Sequence, residues 1–258
     1  MQKINRVGEQ RINNYGSLMT IVEYDNCDNI TVEYEDGYKV KTTYGNFKKR
    51  EMKSPYDKTI FNIGFLGEGK YTSRNGNEKT IQYKYWYCMM ERCYNDKLMK
   101  KQPTYEDKYV CEEWHNYQTF AKWFDENYYE CNDGFVMDLD KDIINKGNKV
   151  YSPDNCVFVS HRINNLFTKS NSKRGELPIG VSFYNKLNKY RASCSVYSKI
   201  DEKNKTKHLG YFDTPEEAFY KYKEFKENYI KEVAEEYKDL IPINLYEAMI
   251  NYVVEIDD

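Results

Sequence analysis

Apolar and polar positions alternate twice near the start of the chain, in LMTIVEY at 18–24 and ITVEY at 30–34, both rich in β-branched side chains. A two-residue alternation turns successive side chains to opposite faces, so both segments read as strands. Asp36 and Gly37 supply a hairpin turn into YKVKTT at 38–43. Gly45 with Asn46, and Ser54 with Pro55, punctuate the next stretch, and Gly64, Gly67 and Gly69 close it. The pattern predicts a small, strongly curved sheet or barrel over residues 1–69. It reads as a binding module or a folding cap.

From residue 80 the period changes from two to 3.6. Tyr85, Trp86, Met89, Met90 and Cys93 fall on one helical face, as do Trp114, Tyr117, Phe120, Ala121 and Phe124, with a break at Gln102-Pro103-Thr104 between them. Further on, strand patterns return at 178–184, 189–197 and 207–212. The turns between them are expected at 185–188 and in a polar loop over 200–206. Thr214, Pro215 and Glu217 then make a strong helix start: Thr214 caps, Pro215 sits in the first turn and Glu217 completes a capping box. Ala218, Phe219, Tyr222, Phe225, Tyr229, Ile230, Val233 and Tyr237 keep the helical period for more than five turns. This predicts a helix packed across a three-stranded antiparallel sheet, with a short helix after it near 244–252. The fold class is therefore α+β. Four segments are expected, a β-rich module (1–69), a central domain (70–170), a sheet-and-helix domain (171–238) and a helical tail (239–258).

Composition narrows the function. The net charge of −2 on 258 residues excludes a uniformly basic coat, yet residues 171–212 carry +6 and residues 213–258 carry −8. The basic stretch is where a polyanion would bind. No run approaches eighteen apolar residues and the first residues lack the apolar core of a signal peptide, so no membrane span and a cytoplasmic location are expected. Seven cysteines without a CxxC pair read mainly as small buried hydrophobes, with a structural Zn²⁺ on Cys88, Cys93, Cys111 and Cys156 as the minor alternative.

The most informative stretch is MDLDKD at 137–142, GNKVYSPDNCVFVS at 147–160 and HRINN at 161–165. It reads as a strand ending in acidic residues, a glycine-bearing loop, a second strand and a helix start. In such a ββα layout a carboxylate and a later amide oxygen can converge on a hard cation. With WYCMMERCYN at 86–95 and VCEEW at 110–114, this region resembles the phage-type HNH endonucleases over residues 80–170. The resemblance implies a central ββα-metal unit binding Mg²⁺ or Mn²⁺ through Asp140 and Asn164, with Asn155 ordering the loop. It implies hydrolysis of one phosphodiester, a nick, in duplex DNA. The chain departs from that family at the position after Asp140, where Lys141 replaces the water-activating histidine. An ordinary lysine is protonated at neutral pH, so Lys141 reads as a base only if its pKa is strongly lowered, and otherwise as a phosphate contact. His161 is the other candidate base.

Residues 178–228 resemble an APETALA2-type DNA-binding domain, through GV at 180–181, KYRA at 189–192, LGYFDT at 209–214 and EEAFYKY at 216–222. The resemblance implies that the sheet enters the major groove. Lys186, Lys189, Arg191, Lys205 and Lys207 are the candidate contacts, Arg191 suiting a bidentate guanine contact and the lysines phosphates. The expected function is a phage or mobile-element DNA endonuclease, working in the bacterial host cytoplasm if phage-encoded. The alternative is a chain that kept the fold without catalysis, as a DNA-binding regulator or a phage inhibitor of a host defence protein.

Overall fold

A computed structural model describes residues 5–101, 107–168, 176–256 and 258, so the break expected at 102–104 and the boundary expected at 170/171 lie outside the described residues. The fold is mixed α+β. It divides into two compact units, the first comprising residues 1–127 and 149–154, the second residues 128–148 and 155–258.

In the first unit, β1 (Gln10–Ile12), β2 (Leu18–Asn26), β3 (Asn29–Tyr34) and β4 (Lys39–Thr42) form an antiparallel sheet in sequence order. The alternation turns Met19, Ile21, Ile30, Val32 and Tyr34 to one side, where Phe47 covers them. Phe47 belongs to helix α1 (Tyr44–Lys49), capped by Thr43. Gly45 and Asn46 read as a break in the sequence pattern. The Thr43 side chain instead accepts the Asn46 amide and starts a short helix there. Buried Asp57 ties the sheet's first turn to the segment after α1, accepting from Asn13 Nδ2 at 2.8 Å and from the Ser54 amide at 2.9 Å.

A short hairpin, β5 (Arg74–Asn75) with β6 (Glu78–Lys79), leads into helix α2 (Ile81–Tyr94), and α3 (Asp96–Lys101) comes next. Helix α4 (Tyr117–Asn127) lies against α2. Their shared core is aromatic: Trp86 donates its indole N–H to the Trp114 carbonyl at 2.7 Å, and the Trp114 and Trp123 rings lie 4.7 Å apart. Tyr83, rather than the expected Tyr85, completes the buried face of α2. Strand β7 (Tyr109–Val110) pairs in parallel with β9 (Val150–Tyr151).

In the second unit, β8 (Met137–Asp140) pairs antiparallel with β10 (Val157–Ser160), and helix α5 (His161–Asn164) continues directly from β10. Strands β11 (Val181–Tyr184), β12 (Lys189–Ser198) and β13 (Lys203–Phe212) form the second antiparallel sheet, in that order. Strand β13 begins at Lys203, inside the loop expected over 200–206, because cross-strand pairing of Lys203 through Lys207 with 194–198 continues the ladder through polar side chains. Helix α6 (Pro215–Tyr237) crosses one face of this sheet, with its capping box formed at Thr214 and Glu217. Val181, Ala192, Cys194, Ala218, Phe219 and Tyr222 make the core between them. Gly180 sits at φ +77°, and a Cβ there would meet the Tyr222 ring at 2.1 Å, so both its conformation and the sheet–helix approach require glycine. Helix α7 (Ile243–Ile250) packs on α6.

Arg162 joins the β8–β10–α5 segment to α6 inside this unit. It is buried and reaches Glu236 with both terminal nitrogens, at 2.7 and 2.8 Å, and the Tyr237 hydroxyl at 3.1 Å. Tyr237 donates in turn to Asp133 at 2.6 Å, which also accepts from Ser160. Among the described residues, no helix is long and apolar enough to cross a membrane.

Candidate functional site

Alternation along β8 buries Met137 and Leu139 and turns Asp138 and Asp140 to the other side. Asp140, at the strand's end, accepts the backbone amides of Asp142 and Ile143, each at 2.8 Å, through Oδ1. Burial and the neighbouring Asp142 carboxylate push its carboxyl up to about 6, well above the usual aspartate range. Its negative charge is thus poorly compensated by the protein, a condition that a bound cation relieves.

Lys141, the next residue, is buried. Its side chain is 7% exposed and its Nζ lies 3.1 Å from Asp142, while its carbonyl accepts from Asn148 at 2.7 Å. Asn155 accepts from Asn145 at 2.8 Å, bridging the two ends of the loop that separates β8 from the β10 side. The antiparallel register sets Ser160 opposite Met137, which brings the start of α5 beside Asp138. There His161 Nδ1 lies 2.7 Å, and Asn164 Nδ2 2.9 Å, from the same Asp138 Oδ2. Asp138 is not among the site residues that the sequence pattern marks. The signal that could have found it is the i, i+2 pairing with Asp140 across one strand face.

Among the described residues, no group of three or more His, Cys, Asp and Glu side chains is arranged to hold a metal. Cys88, Cys93, Cys111 and Cys156 are thiols rather than disulfide partners, as are the other three cysteines. Asp140 and Asn164 carry hard oxygens, the ligand type that Mg²⁺ and Mn²⁺ take.

On the three-stranded sheet, directly paired residues share a face. Ala192 and Cys194 face α6, so Arg191 faces away from it, beside its cross-strand partners Ser182 and Tyr211. Arg191 Nε donates to Ser182 Oγ at 3.2 Å, and its guanidinium lies 5.9 Å from the Tyr184 ring. The Tyr184 and Tyr211 rings are 5.1 Å apart, and those of His208 and Tyr211 4.5 Å. Lys189 opposes Tyr184 on this same face and pairs with Asp213 at 3.1 Å, and Lys186 lies in the turn after β11. Lys207 opposes Cys194 on the helix side and lies 4.5 Å over the Phe225 ring; Lys205, two residues along, pairs with Asp201 at 2.5 Å. The five candidate cations therefore do not share one surface. Lys189 and Arg191 stand on the face away from α6, together with Tyr184, His208 and Tyr211, which the sequence pattern does not mark.

Compared with known proteins, the chain matches no family model, no curated protein and no solved structure.

Proposed function

We propose that this protein is an HNH-type, metal-dependent endonuclease that nicks duplex DNA, held on its substrate by an APETALA2-type sheet. The observation that carries this reading is the convergence of a strand–loop–strand–helix segment on one polar cluster. Asp138, His161 and Asn164 meet there, with Asp140 on the same strand face. In this reading Asp140 and Asn164 hold Mg²⁺ or Mn²⁺, which when bound supplies positive charge to the scissile phosphate and its leaving oxygen. Asn155 keeps the loop closed through Asn145. The sheet face bearing Lys189 and Arg191 meets the duplex, Arg191 reading a base edge and Lys189 a phosphate. Supercoiled plasmid incubated with the protein and Mg²⁺ or Mn²⁺ is expected to be nicked, and Asp140→Ala to abolish nicking. An inert wild-type protein on DNA that it binds would refute the enzyme reading.

One observation favours the second reading, a binding protein that regulates DNA or inhibits a host defence protein. Lys141 is buried against Asp142 where the HNH pattern places its base. Under that reading wild type cuts nothing and Lys141→His acquires nicking.

DNA binding has its own test. Arg191→Ala is expected to weaken duplex affinity by about 1–3 kcal/mol and relax preference at one base pair. Lys189→Ala is expected to weaken all sequences alike and lower the salt slope by about one. Fluorescence anisotropy across a salt titration reads both. Affinities that stay unchanged in both variants would remove this face from the interface.

A further inference from the structure

We infer that His161, held by Asp138, is the proton acceptor of this site. The inference rests on the nuclease reading above and decides between its two candidate bases. Three features of the cluster carry it.

The first is the atom that remains available. Asp138 and His161 meet at 2.7 Å through Oδ2 and Nδ1. An ionised carboxylate can only accept, so the imidazole donates through Nδ1–H, and this bond leaves the ring's other nitrogen, Nε2, uncommitted. An imidazole in this tautomer takes a proton at Nε2 while the carboxylate behind it steadies the cation that forms. The second feature is the rigidity of the carboxylate. Asn164, one turn along α5, donates to the same Oδ2 at 2.9 Å, so two side chains fix one oxygen. Asp138 is therefore a positioning residue, acting through the ring. The third is access. The His161 side chain is 48% exposed and that of Asp138 24%, so the ring stands at the surface above a more enclosed partner. Lys141, 7% exposed and held by Asp142, lacks that access to a substrate.

The step balances with water alone. His161 Nε2 takes a proton from a water molecule as the water oxygen bonds to phosphorus. The bond from phosphorus to the leaving ester oxygen breaks, and that oxygen takes its electron pair and then a proton from solvent. No oxidant, reductant or second substrate is consumed.

The test uses the full chain and supercoiled plasmid with Mn²⁺. His161→Ala is expected to slow nicking at least about 100-fold, as loss of a general base does. Added imidazole is expected to restore a measurable part of that loss, which a variant damaged only in folding would not show. Asp138→Asn is expected to slow nicking about tenfold or more, the usual effect of removing a group that orients another. Long-range ¹H–¹⁵N NMR of the metal-free protein supplies a readout independent of cutting. The His161 proton is expected on Nδ1 in wild type and displaced from it in Asp138→Asn. A wild-type ring protonated on Nε2 overturns the proposal whatever the activity. Cutting by wild type with equal cutting by His161→Ala, or no response of an inactive His161→Ala to imidazole, overturns it and leaves the nuclease reading standing. A wild type that binds DNA and never cuts it removes both.

Discussion

Replacing Arg162 with alanine is expected to destabilise the second unit by about 3 kcal/mol, within the range found when one member of a buried ion pair is removed. The guanidinium is buried, bonded twice to Glu236 and once to Tyr237, and flanked by the Tyr197 and Tyr237 rings, each 5.2 Å away. Alanine leaves a cavity between these rings and strips Glu236 of its main partner. Lys199, 2.8 Å from the same carboxylate, offsets part of the loss. Arg162 hydrogen-bonding and charge, with help from Lys199, hold the Glu236 carboxyl down to about 2, below its ordinary 4.5. A carboxyl lowered on folding contributes stability above about pH 4.5 and loses it as pH falls toward 2. Denaturant unfolding at pH 7 and pH 3 reads both effects: the wild type is expected to lose stability between them more steeply than Arg162→Ala. Equal midpoints for the two proteins at pH 7 would show that the pair holds nothing together.

Asp140→Asn should act in the opposite direction, stabilising the cation-free protein by about 2–3 kcal/mol at pH 7, the equivalent of its pKa displacement. The folded carboxyl titrates at about 6 against an ordinary 3.8, so the folded chain binds more protons than the unfolded chain between those values. Stability from this group is therefore full below about pH 4, falls as pH rises through that window, and is gone above about pH 6. Asparagine removes the charge yet keeps an oxygen for the amides of Asp142 and Ile143. The advantage of the variant is expected to vanish below about pH 4. Mg²⁺ at millimolar levels is expected to raise the melting temperature of wild type and leave the variant unmoved, since only a folded state that binds the cation is stabilised by it. A variant no more stable than wild type at pH 7 in EDTA would mean that Asp140 bears no buried charge.

The elements easiest to read from the sequence are those where local chemistry and packing agree. Thr214, Pro215 and Glu217 announce α6, and its apolar period continues to Tyr237 because that face is buried along its length. Lys226 is the exception: it is buried within that face, where burial pulls its pKa down, and a charged residue at that position gives no sign of it in sequence. Helix α1 is hidden by Gly45 and Asn46, whose turn preference is overridden by the Thr43 cap and the burial of Phe47. Register is harder still. That Lys207 turns toward α6 while His208 turns away depends on the irregularity between Ala192 and Ser193, where the β12–β13 register shifts. Asp138 shows in the sequence only as a second carboxylate two positions before Asp140; its importance comes from a strand pairing that sets it beside His161, twenty-three positions away.

The seven thiols divide in a way that makes the two units separately observable. In the first unit Cys27 and Cys88 are exposed, Cys111 is half-buried and Cys93 buried, whereas Cys131, Cys156 and Cys194 of the second unit are all buried. Burial pushes the Cys131 thiol up to about 11 and raises that of Cys194 as well, so neither presents thiolate to a reagent at neutral pH. An alkylating agent therefore marks Cys27 and Cys88 at once, and the second unit only when that unit opens. The slow labelling of Cys131, Cys156 and Cys194, followed by peptide mass and set beside that of Cys93, becomes a clock for the opening of each unit, kept without any engineered probe.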